Sequence, residues 1–166
     1  MKKTFIAIPV VFFVVVLTLF KLNTNVHVER STIINAPKNE IKEQIIDFRK
    51  YHKWSPWAEI DTNMVIKFNE LQGKVGAKYS WTGNENIGSG SQTLVGISED
   101  SIAIDLTYHG TSSQMSFELK DQSGLTKIKW NYDCEMSMLI ALMINMDKEL
   151  GNIYEKGFQN LKEIVE

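Results

Sequence analysis

Between residues 64 and 135 the apolar residues fall at every second position, in short runs divided by turn residues. Ile102, Ile104, Leu106 and Tyr108 form one such run, Met115, Phe117 and Leu119 another, and Ile128, Trp130, Tyr132 and Cys134 a third. The positions between them, such as Asp105, Thr107 and His109, or Lys127, Lys129, Asn131 and Asp133, are polar. A strand turns successive side chains to opposite faces, so the pattern predicts an antiparallel meander with one packed face and one wet face. Six strands are expected, over 64–68, 78–82, 88–98, 101–109, 113–120 and 126–135, with turns at 83–86, 99–100, 110–111 and 122–124. Such a sheet cannot bury its apolar face alone. Only one long amphipathic partner follows, residues 138–165, where Leu139, Leu142, Met143, Met146, Leu150, Ile153, Tyr154, Phe158, Leu161, Ile164 and Val165 make a stripe. The sheet is therefore expected to wrap a C-terminal helix. Gly157 lies on that stripe, where close approach to the sheet would explain a residue that is costly in a helix.

Before the meander, residues 26–34 read as a strand closed by Asn35, Ala36 and Pro37. Pro37 suits the first turn of a helix, and Ile41, Ile45, Ile46 and Phe48 continue it at helical spacing to about residue 49. Pro56 disfavours helical geometry at Ser55, so Tyr-His-Lys-Trp-Ser-Pro-Trp (51–57) reads as a short second helix or turn.

The N-terminal segment, residues 4–20, carries no charge, and 13 of its 17 residues are Val, Ile, Leu or Phe. As a helix it would be about 25 Å long, slightly short of a ~30 Å hydrocarbon layer. Lys2, Lys3 and Lys21 could cover the shortfall by snorkelling, and membrane helices tolerate a proline such as Pro9. The run is longer than the core of a signal peptide and no small-residue cleavage site follows, which favours an uncleaved anchor. A cleaved signal, leaving a secreted domain, and a buried N-terminal helix are the alternatives. The lysine bias places the N-terminus in the cytoplasm and the domain on the far side of the membrane. Residues 1–25 are thus expected to be an anchor with a short polar tether (Asn23, Thr24, Asn25), and residues 26–166 a single domain.

Composition narrows the function. The 18 basic and 20 acidic residues give a net charge of −2, and without the three N-terminal lysines the rest stands at −5. That charge supports neither nucleic-acid binding nor electrostatic attachment to an anionic leaflet. A single cysteine, Cys134, precludes an internal disulfide. His27, His52 and His109 lack metal-ligand spacing, so no metal and no cofactor is expected. Gly83, Gly88 and Gly90 precede no helix and read as hairpin residues, not a phosphate loop. Asp105 and His109 share a strand face, but the wet one; His52 and Asp47 read as a surface pair.

Four stretches taken in order carry a resemblance: VERSTIINAPKNEI, IIDFRKYHKWSPW, KVGAKYSWTGNENIGSGSQTL and TKIKWNYDCEM. Together they resemble the START/SRPBCC superfamily, in its polyketide cyclase/dehydrase-like branch, over nearly all of residues 26–165. The resemblance implies an α+β helix-grip fold: a strand, two short helices, a six-stranded antiparallel meander and a long C-terminal helix. It also implies a cavity between sheet and helix that holds a hydrophobic or lipid-like small molecule. Some members of the superfamily are cyclases or dehydrases, but they share no catalytic motif, so no catalytic residue is carried over. The expected cavity lining is Trp57, Trp81, Leu94, Ile104, Leu106, Met115, Phe117, Trp130 and Tyr132 from the sheet side, with Met143, Met146, Leu150 and Tyr154 from the helix. Trp54 is expected near the cavity mouth, as a gate, a lipid-interface contact or simple packing. Three functions follow as alternatives: a membrane-anchored hydrophobic-ligand binder, a cyclase-like enzyme on a polyketide or aromatic substrate, and an unliganded interaction module.

Overall fold

A computed structural model describes residues 4–166. The chain opens with helix α1 (Thr4–Lys21) and passes directly into β1 (Asn23–Ile34). Three short helices follow: α2 (Lys38–Ile46), α3 (Phe48–Trp54) and α4 (Trp57–Ile60). The meander is β2 (Val65–Phe68), β3 (Lys78–Thr82), β4 (Ser89–Ile97), β5 (Ser101–Tyr108), β6 (Thr111–Gln122) and β7 (Leu125–Ser137). Helices α5 (Met138–Met143) and α6 (Met146–Val165) complete the chain. All seven strands form one antiparallel sheet in the order β1-β7-β6-β5-β4-β3-β2. A register shift between Leu94 and Gly96 marks a bulge in β4, which bends that strand.

The period-two faces are as the alternation requires. Ile102, Ile104, Phe117, Leu119, Ile128 and Trp130 are buried, while Asp105, Lys127 and Asp133 face outward. On the wet face His27 Nδ1 lies 2.7 Å from Asp133 Oδ1, a hydrogen bond that raises the imidazole's pKa.

Four expectations need correction. The tether does not exist as such: Asn23, Thr24 and Asn25 are the first residues of β1, paired with Ser137, Met136 and Glu135 of β7. The first helix ends at Ile46, because Asp47 is extended and its side chain accepts a hydrogen bond from the Arg49 amide (2.9 Å), restarting the chain as α3. Asp47 is therefore a helix cap, not a partner of His52. The long C-terminal helix is also two helices. Ile144 is extended, and the Asn145 side chain caps α6 by accepting from the Lys148 amide at 3.0 Å. The break turns α5 away from the sheet interior to lie beside α1 and the paired ends of β1 and β7.

Among the residues whose side chains are described, which in α1 are 8, 9 and 11–21, no helix is long and apolar enough to cross a membrane. Lys2 and Lys3 lie outside the described residues.

Helix α6 packs on β1, α2 and α3. Its two glycines serve different contacts. At Gly157 a Cβ would stand 3.0 Å from Trp130 Cζ3 and 3.3 Å from Pro56 Cδ, both parts of rigid rings. At Gly151 a Cβ would meet only the guanidinium of Arg30, the mobile end of a side chain that pairs with Asp147 (2.8 Å) and Glu155 (3.3 Å). Replacing a helical glycine by alanine gains about 1 kcal/mol of helix propensity, while overpacking a rigid core costs about 1–3 kcal/mol. Gly157→Ala is accordingly expected to lower the urea midpoint and Gly151→Ala to leave it unchanged or raise it. Equal effects of the two substitutions would show that the Trp130–Pro56 contact does not limit α6.

Candidate ligand-binding site

The space under α6 is divided into a filled end and a hollow end. Trp130 dominates the filled end. Its ring stacks on Tyr154 (centroids 4.1 Å apart, planes at 6°) and meets Tyr51, Trp54, Trp57, Phe117 and Phe158 at 4.8–6.3 Å. Trp54 is fully buried in this group, and its indole N–H donates to the Gln44 carbonyl at 3.1 Å. It is a packing residue and is neither at the mouth nor at a lipid interface.

The hollow end is a cavity of ≈ 250 Å³. Strands β3 to β7 supply Tyr79, Trp81, Gln92, Leu106, Tyr108, Met115 and Tyr132, and α6 supplies Met146, Leu150 and Tyr154. These three recur every four residues along one helix face. Further along α6, Gly157, Phe158 and Leu161 close against the core. Trp57, Ser55, Met64, Asn86 and Ile87 complete the wall. Trp57 is held by α4, which Asn160 ties to α6 by donating to the Trp54 carbonyl (3.2 Å) and to Glu59 Oε1 (2.6 Å). Near the mouth, Asp61 Oδ2 accepts from the Asn84 amide at 2.7 Å and so fixes the 83–88 turn that carries Asn86 and Ile87.

Of the residues expected to line the cavity, Trp57, Trp81, Leu106, Met115, Tyr132, Met146, Leu150 and Tyr154 stand in its wall. Leu94, Ile104, Phe117 and Trp130 do not; they point to the same side of the sheet but are wholly packed in the filled end. Met143 is misplaced outright. It is 78% exposed on α5, because the break at Ile144 and Asn145 removes it from the α6 face. Ser55, Met64, Tyr79, Asn86, Ile87, Gln92 and Tyr108 were not anticipated. A signal existed for three of them: Tyr79, Gln92 and Tyr108 occupy inward positions of the alternation that yields Trp81, Leu94 and Leu106.

No Asp, Glu, His, Lys or Arg is among the lining residues. Asp105 is exposed on the opposite face, whereas His109 lies in the turn after β5 with φ 47°, exposed, with its ring beside Gly88, so the two do not share a strand face. His52 is half-buried outside the wall, 3.5 Å from the Tyr79 hydroxyl, and burial lowers its pKa. The ionisable groups in the wall are tyrosines. Burial pushes the Tyr79 and Tyr132 phenols up to about 12 and raises Tyr154 well above its ordinary value. At neutral pH these three are protonated and can donate hydrogen bonds, but they cannot serve as bases. Among the described residues no cluster of His, Cys, Asp or Glu is arranged to hold a metal.

No known family profile matches the sequence, and no curated protein matches it. Solved structures do match in shape. The chain is similar to the major latex-like protein 151 of Panax ginseng (14% identity, 86% of this chain and 98% of that one, TM-score 0.64). It is similar to the Aha1 dimer subunit of Colwellia psychrerythraea (14% identity, 85% and 96%, TM-score 0.61). It is also similar to CalU16 of Micromonospora echinospora (11% identity, 85% and 87%, TM-score 0.54). At these identities the likeness is one of fold. The chain shares with them the helix-grip fold, a curved antiparallel sheet closed by a C-terminal helix.

The phenol environments predict a specific alkaline behaviour. Above pH 10 the unfolded chain releases phenolic protons that native Tyr79 and Tyr132 retain until about 12. The native state then binds more protons, so its stability is expected to fall as pH rises from about 10 to 12. Absorbance titration of the folded protein should show four tyrosines, Tyr51, Tyr79, Tyr132 and Tyr154, still protonated at pH 11 that ionise on adding denaturant. Ionisation of every tyrosine by pH 11 in the native protein would show that the cavity is wet.

Proposed function

We propose that this protein is a membrane-anchored carrier that holds a small hydrophobic molecule between the sheet and α6, without chemistry of its own. The observation that carries the reading is the ≈ 250 Å³ hollow walled by aromatic, methionine and leucine side chains. Apolar cavities of about 150 Å³ already accept benzene, and drug-sized sites begin near 300 Å³. The hollow therefore suits one or two rings or a short chain, and is too small for a two-tailed lipid. The resemblance to the SRPBCC superfamily supports the same class of ligand. The wall holds protonated tyrosines but no carboxylate or imidazole to act as a base, which weighs against a cyclase-like reaction that begins by removing a proton from the substrate.

The anchor is supported by the uncharged run of residues 4–20 and by side chains that have nothing to pack against. Ile8, Phe12, Phe13 and Phe20 of α1 are each more than half exposed. Helix α5 lies beside α1, joined where the Met138 amide donates to the Leu22 carbonyl at 2.7 Å, and it exposes Leu142 and Met143. Two neighbouring elements thus present uncharged apolar surface on one side of the fold, the arrangement a bilayer would cover. In this orientation the N-terminus is cytoplasmic and the domain extracytoplasmic.

Organic extraction of the purified full chain followed by mass spectrometry is expected to recover an apolar compound. Leu150→Trp, which fills the hollow, is expected to remove it while preserving the circular dichroism spectrum. Recovery of nothing, together with no binding of small fluorescent hydrophobes, would overturn the carrier reading. The anchor has its own test. The intact chain should stay in the membrane pellet through alkaline carbonate washing. Release of the whole chain, or of a domain trimmed after residue 20, would overturn it in favour of a peripheral or secreted protein.

A further inference from the structure

The hollow opens at one particular end of the sheet. Among its wall residues Gln92, Met115 and Tyr154 are buried, whereas Asn86 and Tyr108 are exposed, so the mouth lies on their side. Asn86 sits in the turn between β3 and β4, and Tyr108 is the last residue of β5 before the turn into β6. Met64, just ahead of β2, and Met146, the first residue of α6, also stand in the wall at this end. The turns at the far end, 98–100 and 122–124, supply no wall residue.

Antiparallel pairing puts α1 and α5 at the mouth end as well. Strand β1 starts there with Asn23, just after α1, and β7 finishes there with Ser137, its partner, just before α5. The register fixes the level. Tyr108 pairs with Thr111, Ser113 with Cys134, and Cys134 with Val26. Two residues on from that last row, Tyr108 and Thr111 stand level with Thr24, three residues or about 10 Å of extended chain from Lys21, where α1 ends. Exposed apolar side chains gather at the same end. Leu22, Ile140, Leu142, Met143 and Ile144 are each 40–78% exposed, and Ile144 stands two residues before Met146 of the wall.

Building on the anchor and carrier readings, we propose that the mouth of the hollow faces the bilayer that holds α1, with α5 lying against the membrane surface. The occupant of this face is the membrane itself, because an uncharged helix ends within about 10 Å of the level of the mouth and α5 adds apolar side chains that water does not favour. The far turns hang in solution, and the hollow lies within reach of molecules dissolved in the lipid.

Spin labels read this orientation directly. They are placed one at a time on the full chain carrying Cys134→Ala: at Glu85→Cys, Thr111→Cys and Met143→Cys on the mouth side, and at Glu99→Cys and Gln122→Cys at the far end. All five positions are exposed. Thr111 and Gln122 are the two ends of β6, about 36 Å apart at ~3.3 Å per residue, so the two groups report different depths. The chain is reconstituted in phosphatidylcholine nanodiscs containing a nickel-chelating lipid, whose metal broadens only labels near the headgroups. The three mouth-side labels are expected to lose signal amplitude and the two far labels to keep theirs, with the circular dichroism spectrum unchanged. Loss at Glu99→Cys and Gln122→Cys, or an equal response or none at all five positions, would overturn the orientation and leave the anchor and carrier readings standing. A chain that elutes apart from the discs would overturn the anchor reading and this orientation with it.

Discussion

The stack of Trp130 on Tyr154 joins the sheet to α6, and most of the molecule is arranged around it. The two rings lie nearly parallel, and four further aromatic side chains from α3, α4 and β6, together with Phe158 of α6, close on the indole. Large aromatic rings contribute most of the apolar area that such a core removes from water. The contact is possible because Gly157 has no side chain to hold the helix off the indole. The indole N–H is buried without a partner, an expense that the surrounding ring contacts must offset.

That anchoring at one end accounts for the space at the other. With the C-terminal half of α6 drawn onto Trp130, the N-terminal half is held to Arg30 of β1 through Asp147 and borders the hollow with Met146 and Leu150. There the inward side chains are Leu106, Met115 and Tyr132, with Met146 and Leu150 above them, and they do not close the gap. The hollow shares its wall with the core: Tyr154 packs on Trp130 with one face and borders the cavity as well. Changes in the stack would therefore be felt by anything bound in the hollow. All five tyrosines of the chain lie in this wall or, for Tyr51, directly behind it.

The strands were readable before any coordinates because half-buried strands advertise their faces. Every strand of the meander is legible from alternation, with ends displaced by at most two residues, and Gly157 from its place on the stripe. The helices were read less well, and for one reason. Asp47 ends α2 and caps α3, and Asn145, following the extended Ile144 that ends α5, caps α6, each through a side-chain hydrogen bond; an isolated Asp or Asn inside an amphipathic pattern does not announce that role. The apolar stripe ran through Leu142 and Met143 without a visible break, so both were assigned to the wrong surface. Asn23, Thr24 and Asn25 looked like a linker because polar residues on an outer strand resemble a loop until their partner on β7 is known.

What local chemistry settled here is the α+β class, the order of elements, the inward face of each strand and the uncharged character of the N-terminal run. These follow from periodicities of two and 3.6, from turn residues and from charge, all of which act between near neighbours in the chain. The division of inward residues into core and cavity wall was settled only by the tertiary structure. Leu94 and Leu106 carry the same side chain on the same face of adjacent strands, yet one is sealed in the core and the other borders empty space. The difference lies in where α6 comes down on the sheet, a distance set jointly by Gly157, Trp130 and the turn at Asn145, residues that meet only when the chain is folded.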